Sequence, residues 1–187
     1  MGKFTGEIRN RPWLPDVAVD LLKEMIKPKW QILETGAGAS TIWMAKRATR
    51  ILSFEHNEAW ADGVNKKIEQ ERELNLANHQ MGIPPHCGVK IIYDPGYPAE
   101  GLKEGIESAE IEEFDMALID GRGRVKSIMT AIPFLKRGGW LVFDNANRPR
   151  YEKAVLYLAR LGWPTFFILG KIMPENKRGY TQFWRKP

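Results

Sequence analysis

Short apolar runs alternate with longer amphipathic stretches along most of the chain. A run of a few apolar residues suits a buried strand, whereas apolar residues spaced three and four positions apart suit one face of a helix. Strands that alternate with helices predict a parallel sheet covered by helices on both faces. The pattern predicts strands at 30–35, 50–55, 89–94, 114–120, 140–145, 165–169 and 179–184, and helices at 15–26, 40–48, 57–76, 99–109, 125–135 and 151–161.

The last two predicted strands break this alternation. About nine residues separate them, which is too short for the helical crossover that parallel neighbours need. We therefore expect the last strand to run antiparallel to its neighbour. The expected fold class is α/β, a Rossmann-like sheet of seven mostly parallel strands with helices on both faces. We also expect residues 136–139, Lys-Arg-Gly-Gly, to close the helix before them as a positively charged C-cap.

Composition and length narrow the class of protein. A chain of 187 residues with 43% hydrophobic residues is long enough for one domain with a sizeable core. We assign 1–187 to that domain, with 1–28 as an N-terminal helical extension. Cys87 is the only cysteine and residues 1–7 contain no apolar signal core, which together predict a cytoplasmic protein without disulfides. No apolar run is long enough to cross a bilayer, so we expect no membrane partner.

The most informative chemistry lies where the first predicted strand meets the next helix. Gly36 and Gly38 let the backbone turn and approach a ligand, because neither has a Cβ atom. Ser40 or Thr41 can cap the helix that follows. Glu55 ends the second strand, where its carboxylate can accept both ribose hydroxyls of a nucleoside. This order of strand, glycine-rich turn, helix, strand and acid predicts a nucleoside-binding crevice.

Two residues of this segment indicate which nucleoside binds. A dinucleotide fingerprint requires a third glycine, where this chain has Thr41. Glu34 would repel a pyrophosphate and attract an ammonium group. S-adenosylmethionine (SAM) has an amino group and a sulfonium but no phosphate, and the segment resembles motif I, E/D-x-G-x-G, of the class I SAM-dependent methyltransferases. That resemblance covers residues 30–185 and implies these cofactor contacts: Glu34, Thr35, Gly36, Ala37, Gly38, Ser40, Thr41, Glu55, His56 and Asp120.

Acids and amides end four of the predicted strands, at Glu34, Glu55, Asp120 and the pair Asp144-Asn145. The carboxyl ends of parallel strands share one edge of a sheet, where ligands bind, so we expect these groups to converge. Asp120 is the expected catalytic residue, as a base or as a ligand of a metal.

The last two of these strand ends carry a second resemblance. Residues 114–122 and 138–145 resemble the motifs of catechol- and caffeoyl-CoA-type O-methyltransferases. That resemblance implies a divalent metal, Mg²⁺ or Ca²⁺, on Asp120, Asp144 and Asn145, because hard cations prefer oxygen ligands. The chain departs from the family at residues 121–124, Gly-Arg-Gly-Arg, where the family usually has a further acid and a lysine. The alternative is that Asp120 orients the substrate and that Asp144 and Asn145 cap a turn.

Arginines follow the same strand ends, at Arg122, Arg124, Arg148 and Arg150. Arginine forks suit carboxylates and phosphates, and the formal net charge of +5 also favours anionic partners. No basic run interleaved with aromatic residues extends along the chain, so a small molecule is favoured while nucleic acid stays open. The expected substrate-binding residues are Arg122, Arg124, Asn145, Arg148 and Tyr151.

Three functions remain open on the sequence alone. The leading one is a SAM-dependent methyltransferase with a small, anionic acceptor, O-methylation being favoured. The second is an oxidoreductase that binds NAD or another nucleotide, which Thr41 and Glu34 disfavour. The third is a non-catalytic module that binds SAM or a partner protein. A homodimer is one of the oligomeric states that the sequence allows.

Overall fold

The computed structural model describes residues 8–9, 11–77, 82–84, 86–95 and 98–187. Within these residues it has seven strands and six α-helices. The strands are β1 (Gln31–Thr35), β2 (Arg50–Glu55), β3 (Gly88–Tyr93), β4 (Phe114–Ile119), β5 (Leu135–Asp144), β6 (Thr165–Ile172) and β7 (Lys177–Arg185). The helices are α1 (Asp16–Met25), α2 (Ala39–Ala45), α3 (Glu58–Ala77), α4 (Pro98–Glu107), α5 (Arg124–Ala131) and α6 (Glu152–Arg160).

The strands form one sheet in the order β3-β2-β1-β4-β5-β7-β6. Strands β1 to β5 pair in parallel, and β7 lies antiparallel between β5 and β6. The predicted fold class is therefore confirmed. The closing hairpin is longer than predicted, because backbone pairing continues through the polar residues Lys171 and Arg178 beyond the apolar runs.

The two faces of the sheet carry separate apolar cores. Alternate residues of a strand point to opposite faces, so Ile32 packs with one cluster and Leu33 with the other. Helices α1, α2 and α3 cover the first face, and α4, α5 and α6 cover the second. Helix α1 lies in the segment that the sequence analysis assigned as an N-terminal extension. It is part of the core on the first face, because it buries Ala18, Val19 and Leu22 there. Among the described helices, none is long and apolar enough to span a membrane.

The prediction of a helical C-cap at 136–139 is wrong. Helix α5 ends at Ala131 and a short 3₁₀ turn follows, because Pro133 has no N–H to continue the α-helix. Residues 136–139 belong to β5, where the register with β4 shifts between Phe114 and Met116. Gly138 takes a φ of +75° in this irregularity, and its N–H donates to the carbonyl of Lys186 at 2.7 Å. The glycines therefore serve a β-bulge, not a helix end.

Candidate functional site

A cavity of about 660 Å³ opens at the carboxyl edge of the sheet, beside the ends of β1, β2 and β4. About half of the residues that the sequence analysis singled out line it. Among the described residues, these line it: Gly36, Ala37, Glu55, His56, Asp120, Gly121, Arg122, Gly123, Arg124, Arg150 and Tyr151.

Two glycines bring the ends of β1 and β4 into backbone contact. Gly36 has a φ of +92°, and a Cβ atom on it would lie 2.7 Å from the backbone nitrogen of Gly121. A Cβ atom on Gly121 would lie 2.8 Å from the backbone nitrogen of Gly36. Both contacts are too short for any side chain, so the floor of the cavity requires glycine at both positions.

Gly38 differs from Gly36, because its backbone is extended, with a φ of 176°. A Cβ atom there would meet only the indole of Trp60, at 3.8 Å from Nε1. That indole N–H donates to the carbonyl of Ala37 at 2.6 Å and fixes the turn. The fold itself therefore has room for a side chain at position 38.

Glu34 lies beneath the turn and does not line the cavity. It is fully buried, and its two carboxyl oxygens accept hydrogen bonds from the hydroxyls of Ser40, Thr41 and Ser53 at 2.5–2.7 Å. Burial raises the pKa of Glu34 to about 7, against the opposing effect of these hydroxyls. The Thr41 hydroxyl also accepts the N–H of Gly38 at 2.8 Å. This network holds the glycine-rich turn from below.

Glu55 ends β2 at the wall of the cavity, where only 4% of its surface is exposed. Its Oε1 accepts the backbone N–H of Asn57 at 2.9 Å and lies 2.7 Å from Nδ1 of His56. Burial raises the pKa of Glu55, while Asn57 and His56 oppose the rise. A carboxylate in this position can accept hydrogen bonds from a ligand in the cavity.

Arg124 joins the ends of β4 and β5. It is 7% exposed, and its Nη2 donates to Oδ1 of Asp120 at 2.7 Å. Nε donates to the carbonyl of Gly121 at 2.8 Å, and Nη1 donates to the backbone carbonyl of Asp144. Nη1 also lies 3.7 Å from Oδ2 of Asp144, and the guanidinium lies 5.3 Å from the centre of the Tyr151 ring.

Gly123 immediately precedes α5 and has a φ of +66°. Its conformation is what allows the side chain of Arg124 to reach back to Asp120. That left-handed residue turns the backbone so that Arg124 begins the helix and folds back over the loop. Asp120 is 30% exposed and faces the cavity. Burial raises the pKa of Asp120, while Arg124 opposes the rise.

Asp144 lies behind Arg124 and is 3% exposed. Its Oδ1 accepts the hydroxyl of Thr181 at 2.9 Å, because the antiparallel register of β5 and β7 pairs these two residues. Burial, and then the charge of Asp120, raise the pKa of Asp144 well above its usual range. Asn145 takes a φ of +53° and its N–H donates to the carbonyl of Tyr180. The sequence analysis missed Thr181, since no pattern in the chain specifies that register.

The residues at the ends of β4 and β5 do not fit a divalent metal ion. The cation between the carboxyl groups of Asp120 and Asp144 is the guanidinium of Arg124, which contacts both residues. Neither Asp144, which is bonded to Thr181, nor Asn145 lines the cavity. In the part of the chain that the structure describes, no three histidine, cysteine, aspartate or glutamate side chains are placed to hold a metal ion.

The four predicted arginines lie in three different environments. Arg122 and Arg150 are exposed and line the cavity, and the guanidinium of Arg150 lies 4.9 Å from the centre of the Tyr151 ring. Arg124 also lines the cavity, but its guanidinium is committed to Asp120 and the loop carbonyls. Arg148 is exposed outside the cavity lining. We call Arg122 and Arg150 the basic rim.

Of the predicted cofactor contacts, Gly36, Ala37, Glu55, His56 and Asp120 line the cavity. The others lie in or beneath the glycine-rich turn, namely Glu34, Thr35, Gly38, Ser40 and Thr41. The sequence analysis did not name Gly121 and Gly123 as part of the site. The sequence feature that could have identified them is that both glycines closely follow Asp120, at the end of β4.

The sheet order is part of a fold that this chain shares with solved structures of methyltransferases, at 17–20% sequence identity. No family model and no curated protein sequence matches the chain. Among similar solved structures is the O-methyltransferase from Bacillus cereus in complex with SAH, which is 20% identical, with 89% of this chain and 78% of that chain covered and a TM-score of 0.64. Precorrin-6y C5,15-methyltransferase from Geobacter metallireducens is 18% identical, with 91% and 87% covered and a TM-score of 0.65. The tRNA (m1A58) methyltransferase from Aquifex aeolicus is 17% identical, with 100% and 72% covered and a TM-score of 0.62.

Proposed function

We propose that the protein binds SAM in the cavity and transfers its methyl group to a small, anionic acceptor. The observation that carries this proposal is the cavity at the carboxyl edge, which the glycine-rich turn floors and Glu55 and Asp120 line. Similar structures include methyltransferases, one of them in complex with SAH. The dinucleotide fingerprint needs a third glycine where this chain has Thr41, which argues against the oxidoreductase alternative.

Bound SAM would supply an electrophilic methyl group, and the residues of the chain have the remaining tasks. The backbone at Gly36 and Ala37 would support the cofactor, and Glu55 would accept hydrogen bonds from its ribose. Asp120 faces the cavity and is 30% exposed, so it can accept a proton from an acceptor hydroxyl. This role favours O-methylation. Holding the acceptor in line with the methyl group and excluding water would provide most of the rate enhancement.

The first prediction concerns cofactor binding. We expect SAM to bind wild-type protein in a calorimetric titration and NADH not to bind. Gly38→Val should weaken SAM binding at least tenfold, or about 1.4 kcal/mol, because the fold has room for the side chain but a ligand against the turn does not. Glu55→Gln should weaken it by about 1–3 kcal/mol through the lost charged hydrogen bond.

Gly88→Val is the matched control for this prediction. Among the described residues, a Cβ atom on Gly88 would meet Cγ of Arg50 at 3.7 Å, and Gly88 begins β3 at the amino edge of the sheet, opposite the glycine-rich turn. SAM affinity should therefore equal that of wild type. If Gly38→Val and Glu55→Gln also leave SAM affinity unchanged while remaining folded, the cofactor does not bind in this cavity.

The second prediction concerns the acceptor. Arg122 and Arg150 form a basic rim confined to the mouth of the cavity, which favours a small carboxylate or phosphate ester over a nucleic acid. A screen of hydroxylated acids, phosphate esters and tRNA should find turnover with a small anion. Arg122→Gln and Arg150→Gln should each raise the KM of that acceptor about two- to fivefold, as expected for exposed ion pairs, and reduce its dependence on salt.

Arg160→Gln, at the exposed end of α6, is the control for the rim variants and should leave KM unchanged. Equal KM values in all three variants and wild type, at low and at high salt, would show that the rim does not bind the acceptor. Turnover with tRNA alone would replace the small anion by a nucleic acid.

A further inference from the structure

Arg124 is the most completely engaged charged side chain at the site. Its three guanidinium nitrogens donate to Asp120, to the carbonyl of Gly121 and to the backbone of Asp144. The residue is 7% exposed, and the ring of Tyr151 lies beside the guanidinium. A side chain fixed at so many points has one position, so its charge has a fixed place in the cavity wall.

That place is between two strand-end carboxyl groups. Nη2 lies 2.7 Å from Asp120, and Nη1 lies 3.7 Å from Oδ2 of Asp144. The two side chains also share a hydrogen bond, and the charge of Asp120 raises the pKa of Asp144 after burial, whereas the charge of Arg124 opposes that rise. The guanidinium supplies the compensating charge from within the chain.

We propose that Arg124 is a built-in cation that takes the place of a divalent metal ion between Asp120 and Asp144 and positions Asp120 for its role. The carboxylate of Asp120 is then held by a planar fork whose geometry the protein sets, rather than by exchangeable ligands. Arg124 acts through Asp120 and is a positioning residue. The part of this inference that concerns the cation does not depend on the proposed function, because metal binding is measured without turnover.

The test is Mn²⁺ binding followed by electron paramagnetic resonance, in which bound Mn²⁺ loses the six-line spectrum of the free ion. We expect no Mn²⁺ at the site in wild type. Arg124→Ala and Arg124→Gln should each bind one Mn²⁺, with a dissociation constant on the order of 10⁻⁴–10⁻³ M, as open oxygen sites do. Adding Asp144→Asn to either variant should abolish that binding.

Arg124→Lys is the charge-conserving control, and it should bind no Mn²⁺. In a methyl-transfer assay its activity should recover part of what Arg124→Ala loses, and EDTA should leave wild-type activity unchanged. A merely structural role would predict loss of folding without any gain of metal binding.

Each outcome decides the proposal. Mn²⁺ that binds wild type and is lost with Asp144→Asn overturns it, and so do folded neutral variants that bind none. If both neutral variants unfold, the proposal is also overturned, because that is the result that a merely structural role of Arg124 predicts. Loss of SAM binding in Gly38→Val is independent of these results and tests the proposed function alone.

Discussion

Thr35 ends β1 with a hydroxyl group that is fully buried and has no hydrogen-bond partner among the described residues. The hydroxyl of Thr41, by contrast, donates to Glu34 and accepts the N–H of Gly38. A buried hydroxyl without a partner costs free energy of folding, whereas a bonded one contributes to it. The two threonines, which lie on either side of the glycine-rich turn, therefore have opposite effects on stability.

The third prediction follows from this contrast. Thr35→Val should raise the free energy of unfolding by about 1 kcal/mol, because valine keeps the shape and removes the unpaired hydroxyl. Thr41→Val should lower the free energy by about 1–3 kcal/mol, because it breaks two hydrogen bonds in the buried network. Urea unfolding of both variants measures the difference.

The same variants test whether the Thr35 hydroxyl contacts the cofactor. If Thr35→Val weakens SAM binding while the protein becomes more stable, the hydroxyl serves the ligand at the expense of the fold. A destabilised Thr35→Val protein would contradict the prediction, since it would mean that the hydroxyl is bonded.

At the scale of the element, the strand ends are the part of the site that the sequence predicts best. Glu55 and Asp120 line the cavity because parallel strands bring their carboxyl ends to one edge, whatever their separation in sequence. Glu34 precedes the end of β1, so its side chain points below the turn instead, towards Ser40 and Ser53. Its attraction for a cofactor ammonium group remains a prediction.

What the sequence could not predict depends on backbone geometry that no periodicity reports. The fold-back of Arg124 needs the left-handed conformation of Gly123, and the contact of Asp144 with Thr181 needs the antiparallel register of β5 and β7. The bulge that includes Gly138 was mistaken for a helix end because glycine and positive charge are common to both structures. A glycine in the sequence indicates that the backbone can adopt an unusual conformation there, but it does not specify which one.

At the scale of the whole molecule, buried carboxyl groups gather at one edge of a protein with a net charge of +5. Burial raises the pKa of Glu34 to about 7, and it raises the pKa values of Glu55, Asp120 and Asp144 in the same direction. The net charge counts every ionisable group of the chain. The pH dependence of stability depends instead on the groups whose pKa changes on folding, such as these carboxyl groups. The pH of maximum stability therefore need not lie near the isoelectric point of about 9.3.

The final prediction concerns that pH dependence. The folded protein keeps a proton on Glu34 up to about pH 7, whereas the unfolded chain loses it near 4.5. Its contribution is therefore fully present below pH 4.5 and is lost as the pH rises through 7, a change of about 3 kcal/mol. Glu71 has the opposite effect on stability, because Lys46 and Lys67 lower its pKa against the effect of burial. The contribution of Glu71 is therefore lost as the pH falls.

We therefore expect the free energy of unfolding to be largest near pH 5 and to fall towards pH 8. Glu34→Gln should flatten that fall by about 3 kcal/mol, because the amide has no proton to lose and can still bond the surrounding hydroxyls. Glu73→Gln, on the exposed side of α3, should leave the curve unchanged. Urea unfolding at intervals of pH measures all three proteins, and a Glu34→Gln protein whose stability falls as steeply as that of wild type would contradict the prediction.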